Sequence, residues 1–113
     1  MVYMFVILAK PSPENERHAE LKGAHVHLWV NSSAESKALQ SANAYIRRYG
    51  WIPSEVEYAF EIQEAQLPKL GASESRLYNR ACLSGIAADF LAFPLEEGEP
   101  NDPVRLERLV PLS

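Results

Sequence analysis

Residues Val2 to Ala9, VYMFVILA, are apolar at every position. A strand turns successive side chains to opposite faces, so this run presents two greasy rows. One row is Val2, Met4, Val6 and Leu8; the other is Tyr3, Phe5, Ile7 and Ala9. A strand that is apolar on both faces needs a neighbour on each side and cover above and below, which places it at the centre of a sheet. The run is far shorter than the roughly 20 residues of a membrane-spanning helix. It also lacks the basic flank and small-residue cleavage site of a signal peptide, so it reads as a buried strand.

A second strand fits Ala24 to Asn31, where the rows differ. Ala24, Val26, Leu28 and Val30 are apolar, whereas His25, His27, Trp29 and Asn31 form a mixed row. The intervening KPSPENERHAELKG is rich in prolines and charges and reads as a long loop. SSAESKALQSANAYIRRYGW carries the marks of a helix. Ser32 and Glu35 have capping-box spacing, and Ala38, Ala42, Ile46 and Tyr49 fall on one stripe beside Leu39 and Tyr45. Gly50 suits the left-handed position past the helix end, with Trp51 folding back onto Ile46. A third strand over Glu55 to Glu64 sets Val56, Tyr58, Phe60 and Ile62 against Glu55, Glu57, Ala59, Glu61 and Gln63. A second helix is expected from Ser73 to about Leu91, burying Leu83, Ile86, Ala87 and Phe90. Residues 1–95 then form one domain. Residues 96–113 read as an acidic, proline-rich linker and a tail in which VRLERLV is a candidate docking strand.

A strand–helix–strand crossover is right-handed and leaves its two strands parallel, with room for one strand between them. The doubly apolar first strand fills that gap, giving the order 2-1-3. The expected fold is α+β, a ferredoxin-like split β-α-β with ββαβα(β) order, a mainly antiparallel sheet and both helices on one face. The run WVNSSAESKALQSANAYIRRYGWIPSEVEYAFEI resembles the strand–helix–strand segment of small uncharacterised bacterial ferredoxin-like (α/β-plait) proteins, over about a third of the chain. That resemblance implies the same fold and a bacterial cytosolic protein, and it transfers no functional residue.

With both helices over Val26, Leu28 and Val30, the other face carries His25, His27 and Trp29 beside Tyr3, Phe5 and Ile7. Large exposed apolar patches mark contacts, so these six residues are the candidate interface of a homodimer or of a partner-binding module. The rival arrangement has the tail or the long loop covering that face within one chain. His25 and His27 also have the spacing of a two-histidine metal clamp on a strand, with His18 and Glu20 in reach as a third ligand. Glu57 and Glu61, two strands away at roughly 10 Å, are not expected to join them. Imidazole titrates near neutrality, which makes the same pair candidates for acid–base catalysis. The alternative function is therefore a dimeric α/β-plait enzyme or a metal-binding protein. The helix-facing positions are apolar apart from Tyr58, which argues against a catalytic pocket there, and no cofactor is expected.

A net charge of -4 disfavours nucleic acid as a partner. Arg47 and Arg48 suit the negative end of the first helix, Arg76 and Arg80 an exposed face, and the glutamate row a solvated edge. Tyr78 and Asn79 suggest no role. The lone cysteine, Cys82, allows no internal disulfide, points to a reducing cytoplasm and reads as a buried thiol. Phosphate-loop, dinucleotide, CxxC, nucleophile-elbow and HExxH signatures are missing.

Overall fold

The computed structural model describes residues 1–16, 21–94 and 104–105. Strand β1 spans Val2–Pro11, β2 Leu21–Asn31, helix α1 Glu35–Arg48 and β3 Trp51–Glu61. A 3-10 segment, Glu64–Lys69, leads to α2 at Ala72–Ser84, then β4 at Ile86–Pro94 and a two-residue β5, Val104–Arg105. The sheet order is β3-β1-β2-β4-β5, and every pairing is antiparallel. The expected 2-1-3 core is present: β2 and β3 flank β1 and run parallel to one another. β1 pairs along nearly its whole length on both sides, as its two apolar rows require. The expected linker beyond residue 95 and the tail beyond 105 lie outside the described residues.

The second helix is shorter than its sequence suggests. It ends at Ser84, and Gly85 at φ 94 turns the chain down into β4. Only glycine takes such an angle without strain, and the Gly85 N–H closes the helix on the Ala81 carbonyl. Ile86, Ala87 and Phe90, expected on a helix, are therefore strand residues, and Leu83 is 88% exposed rather than buried. α1 also starts later than the Ser32–Glu35 capping box implies. Ala34 is its N-cap, with no side-chain cap bond. Its other end behaves as expected: Gly50 has φ 85, its N–H meets the Arg47 carbonyl, and Trp51 is buried in one cluster with Ile46.

The two helices cover opposite faces, not one. α1 lies on the face carrying Tyr3, Phe5, Ile7, Val26, Leu28 and Val30, and inserts Ala38, Ala42 and Ile46. α2 lies on the other face, where Ala81, Leu77 and Tyr78 meet Val2, Met4, Trp29 and Ala87. The register explains which rows belong together. Tyr3, Phe5 and Ile7 stand opposite Val30, Leu28 and Val26, whereas Met4, Val6 and Leu8 stand opposite Trp29, His27 and His25. Residues opposite each other in an antiparallel pair share a face. The expected interface thus divides. Tyr3, Phe5 and Ile7 are core beneath α1, and the row beside the histidines is Val6 and Leu8.

Strand ends explain how far each helix reaches. α1 joins the end of β2 to the far end of β3, so it runs the length of the sheet. β3 and β4 are antiparallel, so β3 ends where β4 begins. The chain between them crosses only that end. There Ile62 N donates to the Val2 carbonyl and Asn31 N to the Gly85 carbonyl. Among the described residues, no helix covers the far half of the α2 face, where Val6, Leu8, His25 and His27 are only half-buried.

Candidate functional site

The uncovered half of the α2 face is the candidate site. Its floor is the half-buried pair Val6 and Leu8 of β1, with His25 and His27 of β2 on one side. His27 stands opposite Asp89 of β4, and His25 opposite Leu91. Across β1, two register shifts in β3 break its alternation between Val6 and Ile7 and between Leu8 and Ala9. A bulge adds one residue to a strand and resets which side chains share a face. Glu57 is the extra residue between the Val6–Tyr58 and Ile7–Val56 partners, and it turns to the histidine side.

The result corrects the distance expected from strand spacing alone. His25 Nε2 lies 2.9 Å from Glu57 Oε1, so the two side chains meet over the top of β1. Both are about one-third exposed, which makes this a wet pair rather than a buried one. The histidine nitrogen and the carboxylate share a proton-bearing hydrogen bond, the geometry in which a carboxylate orients an imidazole. His27 and Asp89 are a second histidine–carboxylate neighbour pair on the same face. Among the described residues, no three histidine, cysteine or acidic side chains converge as a metal site. His18 and Glu20, the expected third ligands, lie outside the described residues.

Trp29 is separated from the histidines in a different way. It is 2% exposed, packed edge-on against Tyr78 with ring centroids 6.5 Å apart. It forms the floor of a recess of about 210 Å3, together with Met4 and Ile62. Phe60 and Leu70 wall this recess, and Gln66, Lys69 and Glu74 stand at its rim. Gln66 is held by accepting from the Gln63 N–H at 2.7 Å, and Glu74 accepts from the Gly71 N–H at 3.4 Å. Beside the recess, β3 is exposed from Glu55 to Phe60. Tyr58 is 65% and Phe60 42% exposed on this face, and Val56, which the bulge puts opposite Ile7 on the α1 face, is 41% exposed, although all three are expected to lie under the helices. Cys82 is exposed too, not buried; burial first, then the hydrogen bond and charge of Cys82 and the charge of Glu64, push the Tyr78 hydroxyl up.

No protein-family model, curated protein or solved structure matches this chain. The site is therefore read from its own residues. Sequence reasoning found His25, His27 and Trp29 as one row. The expected register keeps Glu57 two strands away from them, because its true position depends on a bulge, and the expected second helix hides Asp89. Gly85 was the available signal for the latter, since a glycine after thirteen helical residues is a stop as readily as a flaw.

Proposed function

We propose that this chain is a small non-catalytic module that binds a second copy of itself through the uncovered half of the α2 face and the adjoining β3. The observation that carries this reading is the exposure of Tyr58 and Phe60 beside the half-buried Val6 and Leu8. Apolar side chains at Val6, Leu8, Tyr58 and Phe60 crossed by a polar His25–Glu57 pair have the mixed composition of an interface between proteins. Strand-to-strand addition at β3 is opposed by its two bulges and by Glu55, Glu57 and Glu61, devices that block edge pairing. Face-to-face packing avoids both obstacles. The split β2-α1-β3 unit supports kinship with ferredoxin-like plaits, and α2 on the opposite face is the departure from them.

Sedimentation equilibrium tests this. Wild-type protein should be a dimer and Val6→Lys, which places a charge on the half-buried floor, should shift it toward monomer with its circular dichroism unchanged. A wild type that stays monomeric up to its solubility limit overturns the reading. Trp29→Glu is unsuitable, because Trp29 is packed under α2 and its loss would unfold the chain.

A second reading, an acid–base or metal-binding plait protein using His25 and His27, draws support from the 2.9 Å His25–Glu57 pair. It predicts stoichiometric Zn2+ binding in calorimetric titration, abolished in His25→Ala and in His27→Ala. Zinc that fails to bind removes the metal form of this reading.

A further inference from the structure

Tyr58 and the recess beside Phe60 are a knob and a hole on one surface. Tyr58 is the most exposed aromatic side chain among the described residues. The recess holds about 210 Å3, below the roughly 300–1,000 Å3 of ordinary ligand pockets. That is the scale of one large side chain. Its floor is apolar, formed by Trp29, Met4 and Ile62.

Tyr58 and Phe60 are two residues apart on β3 and stand on the same face, opposite Val6 and Met4. Along β3, Tyr58 therefore stands about 7 Å from Phe60, the near wall of the recess. A two-fold axis passing between them would bring each knob to the other copy's hole. That is the requirement of an isologous contact, in which one patch is complementary to itself.

We propose that Tyr58 of each copy seats in the recess of the other, locking two chains face to face. This rests on the dimer reading above and names the contact that carries it. The charges agree. Lys69 at the rim makes no ion pair among the described residues, and neither does Glu55. Glu55 stands on the same face as Tyr58, opposite Leu8, on the side away from its own recess. Seating Tyr58 in the partner brings Glu55 toward the partner's Lys69. The phenol oxygen then meets the rim, where Glu74 has a carboxylate oxygen not used by the Gly71 N–H.

Sedimentation equilibrium on the full chain reads the outcome. Tyr58→Ala removes an exposed side chain, so folding stability should hold while the dimer dissociation constant rises about tenfold or more, as for a central aromatic anchor. Lys69→Glu should also weaken the dimer, and Lys69→Glu combined with Glu55→Lys should restore most of it. A Tyr58→Ala protein that dimerises like wild type overturns the knob and hole but leaves the dimer standing. So does a charge swap that fails to rescue Lys69→Glu. A monomeric wild type overturns the dimer reading and this contact together.

Discussion

The two faces of the sheet are made by the same strands and carry similar apolar rows on β1, yet they end differently. On the α1 face Tyr3, Phe5, Ile7 and Ala9 are all buried, and so are Ala24, Val26, Leu28 and Val30. On the α2 face burial stops half-way: Val2, Met4 and Trp29 are buried, while Val6, Leu8, His27 and His25 are only partly covered. Residue type does not explain this, since Val6 and Leu8 are as apolar as Ile7. Connectivity does. α1 must travel from one end of the sheet to the other, and α2 joins strands that meet at one end. A face is finished only as far as the chain that crosses it.

The strongest way to break this comparison is to remove matched side chains from each face. Ile7 is fully buried beneath α1, and Ile7→Ala should cost about 2–5 kcal/mol in urea unfolding. Val6→Ala, one residue along on the half-covered side, should cost less than about 1 kcal/mol. Equal costs would mean that the α2 face is packed as tightly as the other.

Gly85 is the residue that divides the faces, since it ends α2 and starts β4. It has φ 94, and a Cβ there would meet no atom within 4 Å. Gly85→Ala should therefore cost about 1–2 kcal/mol from backbone strain alone, without a clash. A neutral result would show that the turn relaxes and the division is loose.

How far the sequence disclosed this division follows from what each signal encodes. VYMFVILA disclosed the central strand, because two apolar rows have one physical solution. The helix and its Gly50–Trp51 stop were equally legible, being local chemistry. The apolar residues of 83–91 were not assignable by pattern, since small residues such as Ala87 and Ala88 suit a helix or a strand, and Gly85 alone decides. The bulge at Glu57 left no mark in VEYAFE, which alternates between apolar and glutamate positions apart from Ala59. The site suffered accordingly: His25, His27 and Trp29 were legible as a row, but Glu57 arrives by a bulge and Trp29 is claimed by α2. Tyr3, Phe5 and Ile7 went to the wrong face because nothing local states which row of a doubly apolar strand meets which helix.

The α1 face should also lose stability in alkali. Burial, the hydrogen bond with Tyr49 and that neighbour's charge push the Tyr45 hydroxyl up to about 12, with Arg80 and Arg48 opposing. Folded protein keeps a proton there that the unfolded chain releases near 10. Its contribution is complete below pH 10 and is lost as pH rises from 10 through 12. Discounted for partial exposure, the loss by pH 12 should be about 1 kcal/mol. Tyr45→Phe should flatten that part of the stability curve, measured by urea midpoints at intervals from pH 9 to pH 12.

The smallest effect sharpens the comparison most, because it asks whether the open half is wet. His25 and Glu57 are hydrogen-bonded at 2.9 Å but each about one-third exposed, so solvent screens the pair. Exposed ion pairs contribute roughly 0.2–1 kcal/mol, and this one holds two side chains across a full strand's width. A double-mutant cycle of His25→Gln and Glu57→Gln at pH 6 should give a coupling energy of about 0.5 kcal/mol or less in monomer, falling further in high salt. A coupling several times larger that ignores salt would mean that water is excluded from the pair. The half-covered face would then be finished by something other than α2, and its contrast with the α1 face would disappear.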